Sequence, residues 1–172
     1  MTHRVRYMLM GVIPIVVLID QISKYLVLSR PEFRALDCLD QSIACGRIDV
    51  SPFFDLSMVW NRGVSFGTLQ SEGAMRWVLV ALTLAIAIGF TIWLLSAERK
   101  LTFAGLLLVV GGALGNLIDR VRFGAVVDFL DFSEIYFVWV FNVADTAISV
   151  GAALLFIDQF LMSGNQSAEK SD

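Results

Sequence analysis

WVLVALTLAIAIGFTIWLL, residues Trp77–Leu95, contains no charged residue and no proline. At 1.5 Å per residue, a helix of this length crosses the roughly 30 Å hydrocarbon layer of a bilayer. Lipid offers no partner to backbone N–H and C=O groups, so a spanning segment must be a helix or part of a closed barrel. A uniformly apolar run of this length indicates a helix. Working outward, three more segments qualify: Tyr7–Leu28, interrupted by Asp20, Gln21 and Lys24; Leu101–Ile118; and about Phe141–Leu161. The chain is 57% hydrophobic and 17% charged, against about 45–50% and about 25% in soluble domains. Its mean hydropathy is +0.73. These values describe a single four-span membrane domain over residues 1–172.

Four spans put both termini on one side. Arg4 and Arg6 precede the first span, and Arg99 and Lys100 occupy the turn between the second and third. The positive-inside rule assigns these residues to the cytoplasm. The segments 29–76 and 119–140 are then extracytoplasmic. The first also carries Arg30, Arg34, Arg47, Arg62 and Arg76, but in a long loop, where charge counts for less. Trp77, Tyr136 and Trp139 fall at the outer interface. Within 48–60, partial alternation and β-branched residues predict short strands. The polar tail Ser163–Asp172 is expected to be disordered and cytoplasmic. The N-terminal run has no small-residue cleavage site after it, so it reads as an uncleaved span rather than a leader. A net charge of −3 without a basic run gives no sign of nucleic-acid binding.

On this topology the unusual polar residues fall at one depth. Asp20 and Lys24 lie near the outer end of the first span, and Asn61 and Arg62 in the outer loop. Asn116, Asp119 and Arg120 end the third span, Asp128 follows, and Asn142 and Asp145 begin the fourth. Ionisable groups at membrane depth are costly and usually face a bundle interior or a cavity. Plainer roles compete. Asp20 and Lys24 are four apart and can pair on one helix face. Asp119 and Arg120 can form an interfacial pair. Asp131, Glu134 and Asp158 read as solvated.

The chemistry open to this cluster is narrow. The one histidine, His3, lies at the opposite side. That removes Ser-His and Cys-His nucleophiles and a His/Cys zinc site. Ser23 and Lys24 are neighbours on a helix and point about 100° apart; Ser65 is a remoter partner for Lys24. Carboxylates remain, and Asp128 and Asp145 are the natural pair, one in a loop at the interface and the other at the start of the following helix. A close pair shares a proton, so one can activate a water while the other polarises a carbonyl.

The motifs resemble those of lipoprotein signal peptidases. Asn61-Arg62-Gly63-Val64-Ser65-Phe66-Gly67 is similar to the family's Asn-x-Gly-x-x-Phe-Gly. Gly111–Arg120 is similar to Gly-Gly-Ala-x-Gly-Asn-x-x-Asp-Arg. Val127-Asp128-Phe129 and Phe141-Asn142-Val143-Ala144-Asp145 resemble the motifs carrying its two catalytic aspartates. Asp20-Gln21-x-x-Lys24 matches the first span. All five occur in family order. The resemblance implies a bacterial cytoplasmic (inner) membrane aspartic endopeptidase without a cofactor or metal. It implies four transmembrane helices with a small extracytoplasmic β-element. The implied reaction is cleavage just before the diacylglyceryl-modified cysteine of a prolipoprotein, at the outer face, sensitive to the cyclic peptide globomycin. Asn61, Gly63, Phe66, Gly67, Asn116, Arg120 and Asn142, with Asp20 and Lys24, then bind substrate or support the dyad. For Gly111, Gly112 and Gly115, helix packing is the competing role.

No motif covers Pro31–Arg47, which holds Cys38 and Cys45. These can pair in an oxidising compartment or stay as two thiols. Phe53, Phe54, Trp60 and Phe66 are expected to face lipid and substrate from the outer loop; a small cap whose aromatics pack on each other is the alternative. Against the peptidase stands a small transporter, which would need polar groups across the whole bilayer.

Overall fold

The computed structural model describes residues 3–36, 38, 44–63 and 74–169. The chain starts with α1 (His3–Met10) and α2 (Val12–Leu28). Pro14 sits in the first turn of α2, where its missing N–H is tolerated, and the break at Gly11 precedes it. A short helix α3 (Pro31–Ala35) leads to a hairpin of β1 (Ala44–Ser51) and β2 (Phe54–Asn61). Then come α4 (Ala74–Ser96) and α5 (Lys100–Phe123). Strands β3 (Val126–Phe132) and β4 (Phe137–Phe141) precede α6 (Val143–Glu169). Among the described residues, four helical stretches are long and apolar enough to cross a membrane: Arg6–Leu28, Arg76–Ser96, Lys100–Phe123 and Val143–Leu161.

The helix α5 is central, packing against α2, α4 and α6. Its glycines permit this. A Cβ on Gly112 would come within 2.4 Å of the Ala144 carbonyl oxygen on α6. Close backbone approach of this kind is what small residues provide between membrane helices. The C-terminus of α5 is closed by Gly124 at φ 77°, whose N–H returns to the Arg120 carbonyl at 3.1 Å. Arg76, at the start of α4, donates to the Arg120 carbonyl at 3.1 Å and to that of Val121. At the other end Arg6 donates to the last carbonyls of α4, from Leu94 and Leu95, and to Ala97, where the helix dipole favours a cation.

The strands form one antiparallel sheet in the order β1-β2-β3-β4. Its two faces have different work. Met58, Trp60, Val127 and Phe129 are buried with Phe33 and Cys38 in one core. The alternate residues, Asn61, Val126 and Asp128, share the opposite face.

Several expectations need correction. Trp60 does not face lipid: it is 2% exposed and its indole N–H donates to the Cys38 carbonyl at 2.9 Å. Phe54 packs against Phe132 with ring centroids 5.1 Å apart and planes tilted by 44°, while Phe53 is exposed. Asp131 is buried rather than solvated, accepting from the Ser57 hydroxyl at 2.6 Å. Asp158 is buried as well, paired with Arg99 at 2.8 Å and bonded to Thr102. Both carboxylates find donors brought by another element, which the local sequence does not display. The tail is helical as far as Glu169. Cys38 and Cys45 form a disulfide. Phe66 and Gly67 lie outside the described residues.

Candidate active site

Five elements converge at one end of the helix bundle. Strand β2 supplies Asn61 and β3 supplies Asp128. Helix α2 supplies Asp20, Gln21 and Lys24. Helix α5 supplies Asn116, Asp119 and Arg120; Asn142 immediately precedes α6, and Asp145 lies in its first turn.

The base of the site is ionic and buried. Lys24 is 2% exposed and lies 2.8 Å from Asp20 and 2.7 Å from Asp119. Asp20 also accepts the Ala144 backbone N–H at 2.9 Å. Asp119 accepts Val127 N–H at 3.2 Å and the Gln21 amide at 2.9 Å. One cation thus ties α2 to α5, while its two carboxylate partners hold the backbone of α6 and of β3. The ion pair expected between Asp119 and Arg120 gives way to Lys24, because neighbours on a helix point about 100° apart. Asn116 and Asp119, three apart, share a face. That spacing was the available signal for Asp119, as the Asp20-Gln21-x-x-Lys24 motif was for Gln21.

Above this base, three asparagines face two aspartates. A side-chain amide has one acceptor end and one donor end, so committing the first aims the second. Asn116 Oδ1 accepts from Lys24 Nζ at 3.3 Å, and its Nδ2 donates to Asp145 Oδ1 at 2.7 Å. Asn142 precedes α6 as its N-cap: Oδ1 accepts the Asp145 backbone N–H at 2.8 Å. Its Nδ2 then donates to Asp128 Oδ1 at 2.7 Å and reaches Asn116 Oδ1 at 3.2 Å. Asn61 Oδ1 accepts Gly63 N–H at 3.0 Å, and Nδ2 donates to Asp128 Oδ2 at 3.0 Å. Gly63 sits at φ 107°, a conformation that favours glycine.

Asp128 is 2% exposed and Asn142 fully buried. Burial, and then the neighbouring charge of Asp145, push the Asp128 carboxyl up to about 7, against the pull of the Asn61 and Asn142 donors. Arg120 donates to the Asn116 carbonyl at 3.4 Å, and its charge bears on Asp145, Asp128 and Asp119. Two coupled carboxylates in a desolvated setting, with no imidazole beside them, are equipped for proton transfer to and from a water and a carbonyl.

Fold and site together describe a polytopic membrane protein with a carboxylate pair at one end of its bundle. The family description signal peptidase (SPase) II matches residues 12–161, and the chain belongs to that family of peptidases. A lipoprotein signal peptidase of Caulobacter vibrioides is 48% identical over 118 residues, 68% of this chain and 70% of that protein. One from Burkholderia mallei is 40% identical over 157 residues, 87% of this chain and 86% of its own. Two solved structures described as bacterial membrane enzymes superpose with TM-scores of 0.71 and 0.68 at 25% and 26% identity. They cover 88% and 92% of this chain, and 92% and 90% of their own.

Proposed function

We propose that this protein is an aspartic endopeptidase of the bacterial cytoplasmic membrane that removes signal peptides from prolipoproteins, cutting just before a diacylglyceryl-modified cysteine. The carrying observation is the Asp128–Asp145 pair, gripped by three amides whose acceptor ends are already committed. Such a site is preorganised: its donors need no reorientation when charge develops. The pair holds one proton. One carboxylate takes a proton from the attacking water while the other protonates the scissile carbonyl oxygen. The tetrahedral intermediate then collapses as a proton passes to the leaving amine. Because the two groups are coupled, the proton belongs to the pair rather than to either residue.

The positions of the cations support the orientation. Arg6 and Arg99, with Lys100 beside it, lie at the end of the bundle opposite the pair, and by the positive-inside rule this supports a reading with both termini in the cytoplasm and the site at the outer face. Segments 29–76 and 119–140 are then extracytoplasmic. Trp77, Tyr136 and Trp139 are strongly exposed near the site end, as an interfacial belt requires. A signal peptide anchored by two acyl chains reaches this depth from within the bilayer. An unlipidated precursor lacks that anchor.

The test compares a lipidated with an unlipidated prolipoprotein, each incubated with purified protein in lipid. Mass spectrometry should find the lipidated cysteine at the new N-terminus of the first, with little product from the second and inhibition by globomycin. Equal cleavage of both precursors would remove the lipid from the recognition.

A further inference from the structure

The segment that no family motif covers reaches the carboxylate pair through a short physical chain. Phe33 and Cys38 are fully buried with Met58, Trp60 and Val127 in the core above the sheet. The Cys38–Cys45 disulfide ties the chain after α3 to β1. The Cys38 carbonyl accepts the Trp60 indole N–H at 2.9 Å. Trp60 pairs with Val127 and Asn61 with Val126 in the β2–β3 register. Successive strand residues point to opposite faces, so Trp60 is held from the capped face while Asn61 presents its amide to Asp128 from the other. Asn61 lies diagonally across from Asp128, a reach at which a small displacement of the strand end breaks a 3.0 Å hydrogen bond.

We infer that the Cys38–Cys45 disulfide and Trp60 are positioning elements for the carboxylate pair, holding Asn61 against Asp128, so that reduction of the disulfide lowers catalysis. This rests on the reading of Asp128 as a member of the dyad. The disulfide opens by exchange with a dithiol: a thiolate attacks the partly exposed Cys45 sulfur and Cys38 leaves as a thiolate and is protonated; the dithiol's second thiolate then attacks its own sulfur in the mixed disulfide, Cys45 leaves as a thiolate and is protonated, and the reductant ends as its own disulfide. Without the covalent tie, the Cys38 carbonyl is no longer fixed over β2, and the indole loses its anchor. The Asn61 donor favours the ionised carboxyl of Asp128, so its loss moves the proton affinity of Asp128 upward.

The experiment compares wild-type protein, wild type treated with dithiothreitol, Cys38→Ser/Cys45→Ser and Trp60→Phe in lipid. Trp60→Phe keeps an aromatic ring and the disulfide, and removes the indole donor together with part of the buried ring volume. All three perturbations should reduce kcat by roughly tenfold, the size of one hydrogen bond to a charged group, with little change in KM. The falling limb of the pH profile should move to higher pH. In an Asn61→Ala background the same perturbations should add nothing further. An infrared titration of the Asp128 carboxyl, assigned by difference from Asp128→Asn, should show the same upward move without any substrate. That readout separates failure of this inference from failure of the peptidase reading. An unchanged titration after reduction and in Trp60→Phe, or an equal loss of activity with and without Asn61, would overturn it.

Discussion

Asn61, Asn116 and Asn142 each present two donors and one acceptor in a single planar group. In all three the acceptor is occupied by a structural donor: Gly63 N–H, Lys24 and the first turn of α6. The proposed dyad therefore inherits its geometry from groups that also hold the fold together. Burial and Asp145 raise the Asp128 carboxyl from 3.8 to about 7. A raised carboxyl favours the folded state when protonated, so this contribution is present at low pH and is lost as pH climbs from about 4 to about 7. Activity follows the same sign: kcat/KM should fall as pH rises through about 7, when the pair loses its last proton. A rate that climbs steadily to pH 9 would contradict this. Asp128→Asn, lacking the costly charge, should melt no lower than wild type at pH 8 in detergent. Lys24→Met leaves Asp20 and Asp119 buried without their cation and should cost about 3–5 kcal/mol. Combined with Asp20→Ala, the loss should be smaller than the sum of the single losses, and strict additivity would deny the pairing. The shared depth of Asp128 and Asp145 was legible in the sequence, whereas the amides of Asn116 and Asn142 that link them bond across separate elements. Asp119 belongs to the cluster, as its depth implied, but its cation is Lys24 on another helix, a partner that sequence adjacency to Arg120 does not reveal.

Strand β2 shows what an element adds. Its alternation was visible, but which face met lipid was not, because the covering residues Phe33 and Cys38 come from a segment without a motif. The capping core turns Trp60 inward and thereby turns Asn61 toward the site. Asp131 was hidden for the same reason: its donor, Ser57, arrives from a paired strand. Between helices, Gly112 makes a sharper prediction. A methyl group there would sit 2.4 Å from the Ala144 carbonyl, in the turn that carries Asp145. Gly112→Ala should destabilise by about 1–3 kcal/mol, the usual cost of overpacking, and should reduce activity by shifting α6 against α5. Thermal unfolding in detergent measures the first effect. A variant as stable as wild type would mean that α6 can move aside without loss.

At the scale of the whole molecule, the polar groups divide into two unlike sets. Asp158, Arg99 and Thr102 close one end of the α5–α6 packing, and the acid–amide network occupies the other. Between them α5 presents buried apolar and glycine residues, which offer no relay for an ion or proton crossing the bilayer. That arrangement favours chemistry at one face over transport, the competing reading of a helix bundle with buried charges. The four helices were legible from hydropathy, since each is predominantly apolar and long enough to cross a bilayer. The depth shared by the polar residues followed from counting along those helices. The sheet order was not legible, because it depends on pairing strands far apart in sequence; the Cys38–Cys45 pairing, across a separation of 7 residues, stayed open because it depends on how the chain after α3 returns to β1. The most direct measurement is the cleavage of a lipidated prolipoprotein by wild type, Asp128→Asn and Asp145→Asn at matched amounts in lipid. Wild type should release the signal peptide, and each variant should lose several orders of magnitude in rate while remaining folded. Near-normal turnover by either variant would contradict the carboxylate pair as the catalytic centre.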